Sequence, residues 1–258
     1  MSVLKVKDLK VQFGGLTAIN NLSFETRERE ILSVIGPNGA GKTTLFNAIT
    51  GFVRPVGGRV LVDDTDITGW PPHRVTKLGV ARTFQKRSFF PSLTVWENVV
   101  LGQHLGIDTS LLEMVLGSRA QEKQARARRV ALELLDFVGL ISRRDVAAGS
   151  LPYGEQRLLG LAIALAARPS ILLLDEPCAG SNPAESEVMV RLIGEIRQLG
   201  MSLVLVEHQM RVVMGVSDRI IVLSYGEKLA EGVPAEIQRN PGVIAAYLGR
   251  RAGSEACA

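Results

Sequence analysis

The chain has 258 residues, of which 46% are hydrophobic, and its 30 Lys and Arg against 26 Asp and Glu give a formal net charge of +4. That length suits one large domain, or one domain with an inserted subdomain, and excludes a tandem of two full-sized domains. The mild basic excess permits a nucleic-acid or membrane-surface partner without selecting either, and the longest uncharged apolar stretch, about Leu158 to Ala167, is too short to span a bilayer.

Near the N-terminus, Lys5, Lys7, Asp8 and Lys10 stand where a signal peptide needs an unbroken apolar run. Cys178 and Cys257 are the only cysteines and have no metal-ligand spacing, so they read as free thiols of a reducing compartment. The expected location is therefore the cytosol. Residues 3 to 26 read as antiparallel strands: Val3, Leu4, Val6 and Leu9, then Val11 and Phe13, a Gly14-Gly15 turn, and Leu22 to Phe24. Phe13 has two readings, an ordinary core aromatic or an aromatic displayed at a turn for a ligand.

Ile31 to Ile35 is a short, almost wholly apolar run, the pattern of a parallel strand covered on both faces. It leads into Gly36-Pro37-Asn38-Gly39-Ala40-Gly41-Lys42-Thr43-Thr44, which matches G-x-x-x-x-G-K-[ST]. A helix opens at about Lys42, because Leu45, Ala48 and Ile49 recur at helical spacing. Glycines let such a loop curl until successive N–H groups converge on phosphate oxygens, and the helix N-terminus adds partial positive charge. Lys42 supplies a full charge. Thr43 is placed to offer a hydroxyl to Mg²⁺ bridging the β- and γ-phosphates.

Residues 57 to 67 predict a hairpin turning near Asp63-Asp64, and Val80 to Phe84 predict a short strand ending at Gln85. A glutamine there is ordinarily just a polar strand end. From Ser88 to about Arg144 the character turns helical, with helices expected near Thr94 to Gln103, Leu111 to Leu116 and Arg119 to Val138. In the last, Val130, Leu134, Phe137 and Val138 share one face, and Arg119, Glu122, Arg126 and Arg129 share the other, which reads as a solvated face in preference to a nucleic-acid patch.

Leu151-Pro152-Tyr153-Gly154-Glu155-Gln156 opens a helix with Leu158, Leu161, Ala162, Leu165 and Ala166 on its apolar face. Ile171 to Leu174 then run into Asp175-Glu176. An acid ending a fully buried strand is costly without a cation, and a metal beside Thr43 removes the objection. Leu203 to Val206, ending at Glu207-His208, and Ile220 to Leu223 read as further buried strands, and Glu185 to Leu199 reads as a helix burying Val188, Leu192, Ile193 and Ile196. Strands alternating with helices predict an α/β fold with a parallel sheet.

The order of the phosphate loop, Gln85, the Gly-Glu-Gln helix start, Leu-Leu-Leu-Asp-Glu-Pro and His208 resembles that of ABC-type ATPases over about residues 3 to 250. The phrases Phe13-Gly14-Gly15-Leu16, Ala81-Arg82-Thr83-Phe84-Gln85, Val213 to Arg219 and Asn240-Pro241 to Gly249, with the long helical insertion at 106 to 128, resemble the LivG/BraF type of ATP-binding subunit of branched-chain (hydrophobic) amino acid importers. The resemblance implies a P-loop NTPase (RecA-like) core at 1–87 and 157–250 with an N-terminal antiparallel β layer, an inserted helical and signature subdomain at 88–156, and a short tail at 251–258. It implies ATP and Mg²⁺ as ligands: Phe13 on the adenine, Gly36 to Thr44 on the phosphates, and Thr43, Gln85 and Asp175 toward the metal. Glu176, His208 and Gln85 would be catalytic, with Glu176 polarising the water and His208 on the γ-phosphate. Leu151 to Gln156, including Tyr153, Gly154 and Glu155, would cap ATP held by a second copy of the fold.

The same resemblance implies a head-to-tail pair with a homologous chain or with itself, transmembrane permease partners, no nucleic acid, and a place on the cytoplasmic face of the inner membrane. Two departures stand out: Pro152 replaces the usual signature serine, and Ser181 stands before Asn182 where leucine is expected. A regulatory GTPase is set aside because no Asn-Lys-x-Asp sequence occurs. An ABC ATPase for amide or urea import, lipopolysaccharide export or iron-sulfur assembly shares every catalytic motif and stays open, and a pure nucleotide-binding scaffold is opposed by Glu176 and His208.

Overall fold

The computed structural model describes residues 2–83, 89–104 and 117–248. In chain order the elements are β1 (Leu4–Phe13), β2 (Leu16–Glu25), β3 (Ile31–Ile35), α1 (Lys42–Ile49), β4 (Gly57–Val62), β5 (Thr65–Asp66), α2 (Pro72–Lys77), β6 (Val80–Arg82), α3 (Val95–His104), α4 (Gly117–Phe137), α5 (Tyr153–Ala166), β7 (Ile171–Asp175), α6 (Pro183–Gln198), β8 (Ser202–Val206), α7 (Met210–Val216), β9 (Arg219–Ser224), β10 (Glu227–Gly232), α8 (Pro234–Arg239) and α9 (Pro241–Leu248). Contacts divide the chain into one unit of Met1–Pro72 with Leu173–Ala258 and another of His73–Leu172. Phe84, Gln85, the helix expected over 111–116 and the tail at 251–258 lie outside the described residues.

In the first unit, β1 and β2 form the expected antiparallel pair, with Phe13 opposite Leu16 across the Gly14-Gly15 turn. The hairpin β4–β5 joins them in the order β2-β1-β4-β5, and Asp63 at its turn takes a left-handed φ of 53°. The strands β10, β9, β3, β8 and β7 follow one another in a second sheet. There β3 runs parallel to both β8 and β9, and β3, β7 and β8 are buried along their whole length, as apolar runs without alternation require.

The strand β10 had no counterpart in the sequence reading. Its Glu-Lys-Leu-Ala-Glu-Gly is mostly exposed at the sheet edge, antiparallel to β9, so one free side removes the apolar signal. Under the sheet, Ile35, Val213, Ile220, Val222, Ile237 and Val243 form a core cluster against which Met210, Met214 and Tyr247 pack. The helix α6 starts with a capping box, Asn182 Oδ1 accepting from Glu185 N–H at 2.9 Å and Glu185 Oε2 from Asn182 N–H at 3.0 Å. It buries Met189 in place of the expected Val188, alongside Leu192, Ile193 and Ile196.

At the N-terminal edge of this sheet a charged network ties strand starts together. Asp218 accepts from Ile31 N–H at 2.9 Å and pairs with Arg197 at 3.1 Å, while Arg219 pairs with Glu30 at 2.9 Å and with Glu231. Burial of Arg219 works against its charge, and the two carboxylates outweigh it, so its pKa is raised.

In the second unit, α3 opens on a capping box: Glu97 Oε2 accepts from Thr94 N–H at 2.8 Å and from the Thr94 hydroxyl at 2.6 Å. Those hydrogen bonds lower the pKa of Glu97. Asn98 is buried in α3, and its amide closes the preceding loop by bonding the N–H and carbonyl of Phe90 at 2.7 and 3.0 Å. On α4 the buried face is Ala131 and Leu135, with Val130, Leu134 and Phe137 half-buried, one residue round from the predicted face, while Val138 just past the helix is buried as expected. Leu159 likewise replaces Leu158 on the buried face of α5. An apolar pair at adjacent positions leaves the helix rotation open, and packing chooses between them.

Candidate functional site

The sequence after β3 builds a loop that only glycine can follow at two places. Gly36 has φ 153°, and a Cβ on it would lie 2.2 Å from the Leu223 carbonyl oxygen. Gly41 has φ 102°, and a Cβ there would lie 2.7 Å from the Ala18 carbonyl oxygen. The loop is thus wedged between the end of β9 and the middle of β2, which fixes its path. Lys42, the first residue of α1 and only 6% exposed, turns back over the loop and donates from Nζ to the Gly36 and Pro37 carbonyls at 2.7 and 3.0 Å. Gly41 is the N-cap of α1 and has no side chain to cap it, so the helix start relies on backbone or on an anion to satisfy its first N–H groups. Thr43 is exposed and Thr44 half-buried on that first turn.

Two neighbouring strands end at the same edge. Asp175 is the last residue of β7, 4% exposed, and Glu176 N–H donates to the Val206 carbonyl at the end of β8 at 2.8 Å. Glu176 takes a left-handed φ of 49°, a strained backbone for a residue with a side chain. Its Oε1 lies 2.5 Å from His208 Nε2 in the loop after β8. An ionised Glu176 can only accept, so Nε2 is the donor and His208 carries its proton there. Because β8 is parallel to β3, His208 stands at the carboxyl edge from which the phosphate loop also springs, where open α/β sheets place their ligands.

The structure therefore brings Gly36 to Thr44, Asp175, Glu176 and His208 to one sheet edge within one unit. Phe13, at the tip of the β1–β2 hairpin in the same unit, is 49% exposed, which argues against the core-aromatic reading. Tyr153, Gly154 and Glu155 belong to the other unit, on the first turn of α5. There Tyr153 is 59% exposed with the Arg157 guanidinium 4.4 Å from its ring centroid, and Glu155 pairs with Arg143 at 3.4 Å. Pro152 is the N-cap, and its carbonyl accepts the first helical bond, from Gln156 N–H at 3.0 Å. Gln85 lies outside the described residues.

Glu207 received no role from the sequence. It is 1% exposed, its Oε1 accepts from Cys178 N–H at 2.8 Å, and its Oε2 accepts from the N–H groups of His208 and Gln209 at 2.6 and 3.3 Å. The signal was present: like Asp175, it is an acid ending an unbroken apolar strand. Thr43 and Asp175 offer a hydroxyl and a carboxylate, hard oxygen donors that suit Mg²⁺. Among the described residues no cluster of three His, Cys, Asp or Glu side chains could hold a metal alone, so a Mg²⁺ here would need phosphate oxygens and water beside these two groups. No described helix is long and apolar enough to cross a membrane.

Residues 19–179 match the family model described as ABC transporter, and residues 227–253 match that of the branched-chain amino acid ATP-binding cassette transporter. The chain is 45% identical over 249 residues to the high-affinity branched-chain amino acid transport ATP-binding protein LivG of Salmonella typhimurium, covering 96% of this chain and 98% of that one. A crystal structure of the ADP conformation of an ATP-binding cassette of an ABC transporter superposes with a TM-score of 0.84 at 28% identity, covering 96% of this chain and 99% of that one. A dimeric cassette in a post-hydrolysis state, bound to ADP and Pi, superposes at 0.76 with 27% identity, covering 90% of this chain and 98% of that one.

Proposed function

The chain belongs to the family of ABC transporter ATP-binding subunits, which hydrolyse ATP to ADP and phosphate, and from that premise we propose that it powers a membrane importer of branched-chain or hydrophobic amino acids. The observation carrying the substrate class is the match of residues 227–253 to the branched-chain cassette model, because that range, whose described part holds β10, α8 and α9, lies outside the catalytic motifs. As an ATP-binding subunit it works from the cytoplasmic face, against permease subunits that contact the solute.

The chemistry assigned to the site rests on the shared sheet edge. The N–H groups of Gly36 to Thr44 and the Lys42 ammonium hold the phosphates, with Phe13 against the adenine, where stacking contributes about 1–3 kcal/mol by analogy with base–aromatic pairs. Thr43 and Asp175, with Gln85 as the family resemblance implies, would hold Mg²⁺, which would neutralise charge on the phosphates. Glu176 orients and polarises the water; as the water oxygen bonds to the γ-phosphorus its proton passes to the carboxylate or to a phosphate oxygen, the bond from the γ-phosphorus to the β–γ bridging oxygen breaks, and that oxygen leaves on ADP. His208 donates to the γ-phosphate once the nucleotide draws it from Glu176. Leu151 to Gln156 cap the ATP of a second subunit, this chain or a homologue, in a head-to-tail pair.

Uptake of labelled leucine by cells lacking this subunit tests the reading. Restoring the wild-type chain returns uptake and restoring the Glu176→Gln chain does not. Unchanged leucine, isoleucine and valine uptake after removal would assign the subunit to another ABC system.

A further inference from the structure

We propose that Glu207 is a positioning residue for hydrolysis: its buried carboxylate ties the loop that carries Glu176 to the loop that carries His208, so that the two groups are presented together. The proposal rests on the reading above that Glu176 and His208 act on the γ-phosphate.

Glu176 and His208 touch through side chains at 2.5 Å, yet each sits on a separate loop, one after β7 and one after β8. Beneath that contact the side chains of Glu207 and Gln209 make four hydrogen bonds, two that brace the loop after β8 and two that cross from it to the loop after β7. Glu207 Oε1 receives Cys178 N–H at 2.8 Å, its Oε2 receives His208 N–H at 2.6 Å and Gln209 N–H at 3.3 Å, and Gln209 Nε2 donates to the Cys178 carbonyl at 2.6 Å. The Cys178 peptide is thus held at its N–H by one side chain of the other loop and at its carbonyl by another. Cys178 itself is buried, so the clamp lies under the catalytic surface and not in it.

Only a carboxylate can do this. Backbone N–H groups approach both oxygens of Glu207, and an N–H can only donate, so both oxygens must accept. A glutamine offers one oxygen and one NH₂. Whichever way it is turned, the NH₂ faces an N–H donor, and one of the two loops loses its anchor. The left-handed backbone of Glu176 adds to the need, because such a conformation persists only where its surroundings hold it.

The test compares Glu207→Gln, His208→Ala and the double variant in the full chain, measuring ATP turnover, nucleotide affinity and the melting curve in each. Glu207→Gln is expected to lower kcat by about 10- to 100-fold, the scale of a misplacement near 1 Å, while nucleotide affinity stays within about twofold. On the His208→Ala background the same change should lower kcat by less than about threefold, because one of the two groups whose mutual placement it sets is gone. Gln209→Ala, which leaves the carboxylate in place, should lower kcat in the same direction by less, and it serves where Glu207→Gln does not fold. If Glu207→Gln melts earlier yet turns over ATP per folded molecule within twofold of wild type, or if the two losses simply multiply, Glu207 only holds the fold and the proposal is overturned. If His208→Ala and Glu176→Gln themselves turn over normally, the assignment of the site fails first, and that outcome is told apart by those single variants.

Discussion

Glu176 is placed by backbone before it is placed by side chain: a left-handed φ of 49° and an N–H bond to Val206 turn its carboxylate toward His208. Changing it to glutamine keeps size and backbone while removing the charge proposed to polarise the water. Glu176→Gln is therefore expected to retain ATP binding and to lose roughly two to four orders of magnitude in turnover, the usual range for a general base. Lys42→Ala should behave differently. The ammonium that spans the Gly36 and Pro37 carbonyls holds the loop and, in the proposed site, faces the phosphates, so its loss should weaken nucleotide affinity directly. Titration with a fluorescent nucleotide separates the two, and near-normal turnover by Glu176→Gln would remove Glu176 from the mechanism.

Among the elements, α4 and α9 give the sharpest tests. On α4, Leu135 is fully buried and Leu134 half-buried, so Leu135→Ala should cost about 2–5 kcal/mol of unfolding free energy and Leu134→Ala about 1 kcal/mol. Denaturant titration of both variants checks the helix rotation, and equal losses would restore the predicted face. The helix α9 packs beneath the start of the phosphate loop, because Tyr247 lies against the core cluster that contains Ile35, the last residue of β3. Burial raises the Tyr247 pKa above 10.0, and the Gly36 N–H offsets part of the rise. The folded pKa thus exceeds the unfolded one, so the unfolded chain ionises first as pH rises. The Tyr247 contribution is complete below about pH 10, the ordinary tyrosine value, and is lost as pH climbs through the raised folded value. Wild type should lose stability relative to Tyr247→Phe over that window, and parallel curves for the two proteins would show that Tyr247 is not buried as described.

At the scale of the whole molecule, the proposed site has the phosphate loop on one side of a triphosphate and a second subunit on the other. Pro152 is the telling position, since the usual serine there brings a hydroxyl and an N–H. In the nucleotide-free chain, Pro152→Ser gains an N-cap for α5 of about 1 kcal/mol and gives back about 0.4–1 kcal/mol of chain stiffness, so thermal stability should hardly move. In the ATP-bound pair it adds a hydrogen bond to a charged phosphate, a class worth about 1.5–3 kcal/mol. Dimer fraction against ATP concentration, on a Glu176→Gln background and with the partner ATPase present, should shift to lower ATP by about tenfold or more. No shift in that setting would mean that Leu151 to Gln156 cap the nucleotide through groups this substitution leaves alone.

The sequence by itself determined the family, the α/β class, the paths of β3, β7 and β8, and the start of α1 at Lys42, because continuous apolar runs and a glycine-rich loop admit few other structures. Asp175 and Glu176 were legible for a related reason, since acids ending a fully buried strand are expensive where they stand, whereas the roles of Gln85 and His208 came only from the resemblance. Tertiary structure alone decided which side of α4 and α5 faces inward, since Leu134 and Leu135, or Leu158 and Leu159, are equivalent to a helical period and differ only in what packs against them. The edge strand β10 was invisible for want of a second covered face. Glu207 escaped for a deeper reason. Its role depends on N–H groups of Cys178, His208 and Gln209, and backbone donors have no letter in a sequence. They acquire positions, and a carboxylate to meet, only when two loops 29 residues apart in the chain arrive at one edge of the sheet.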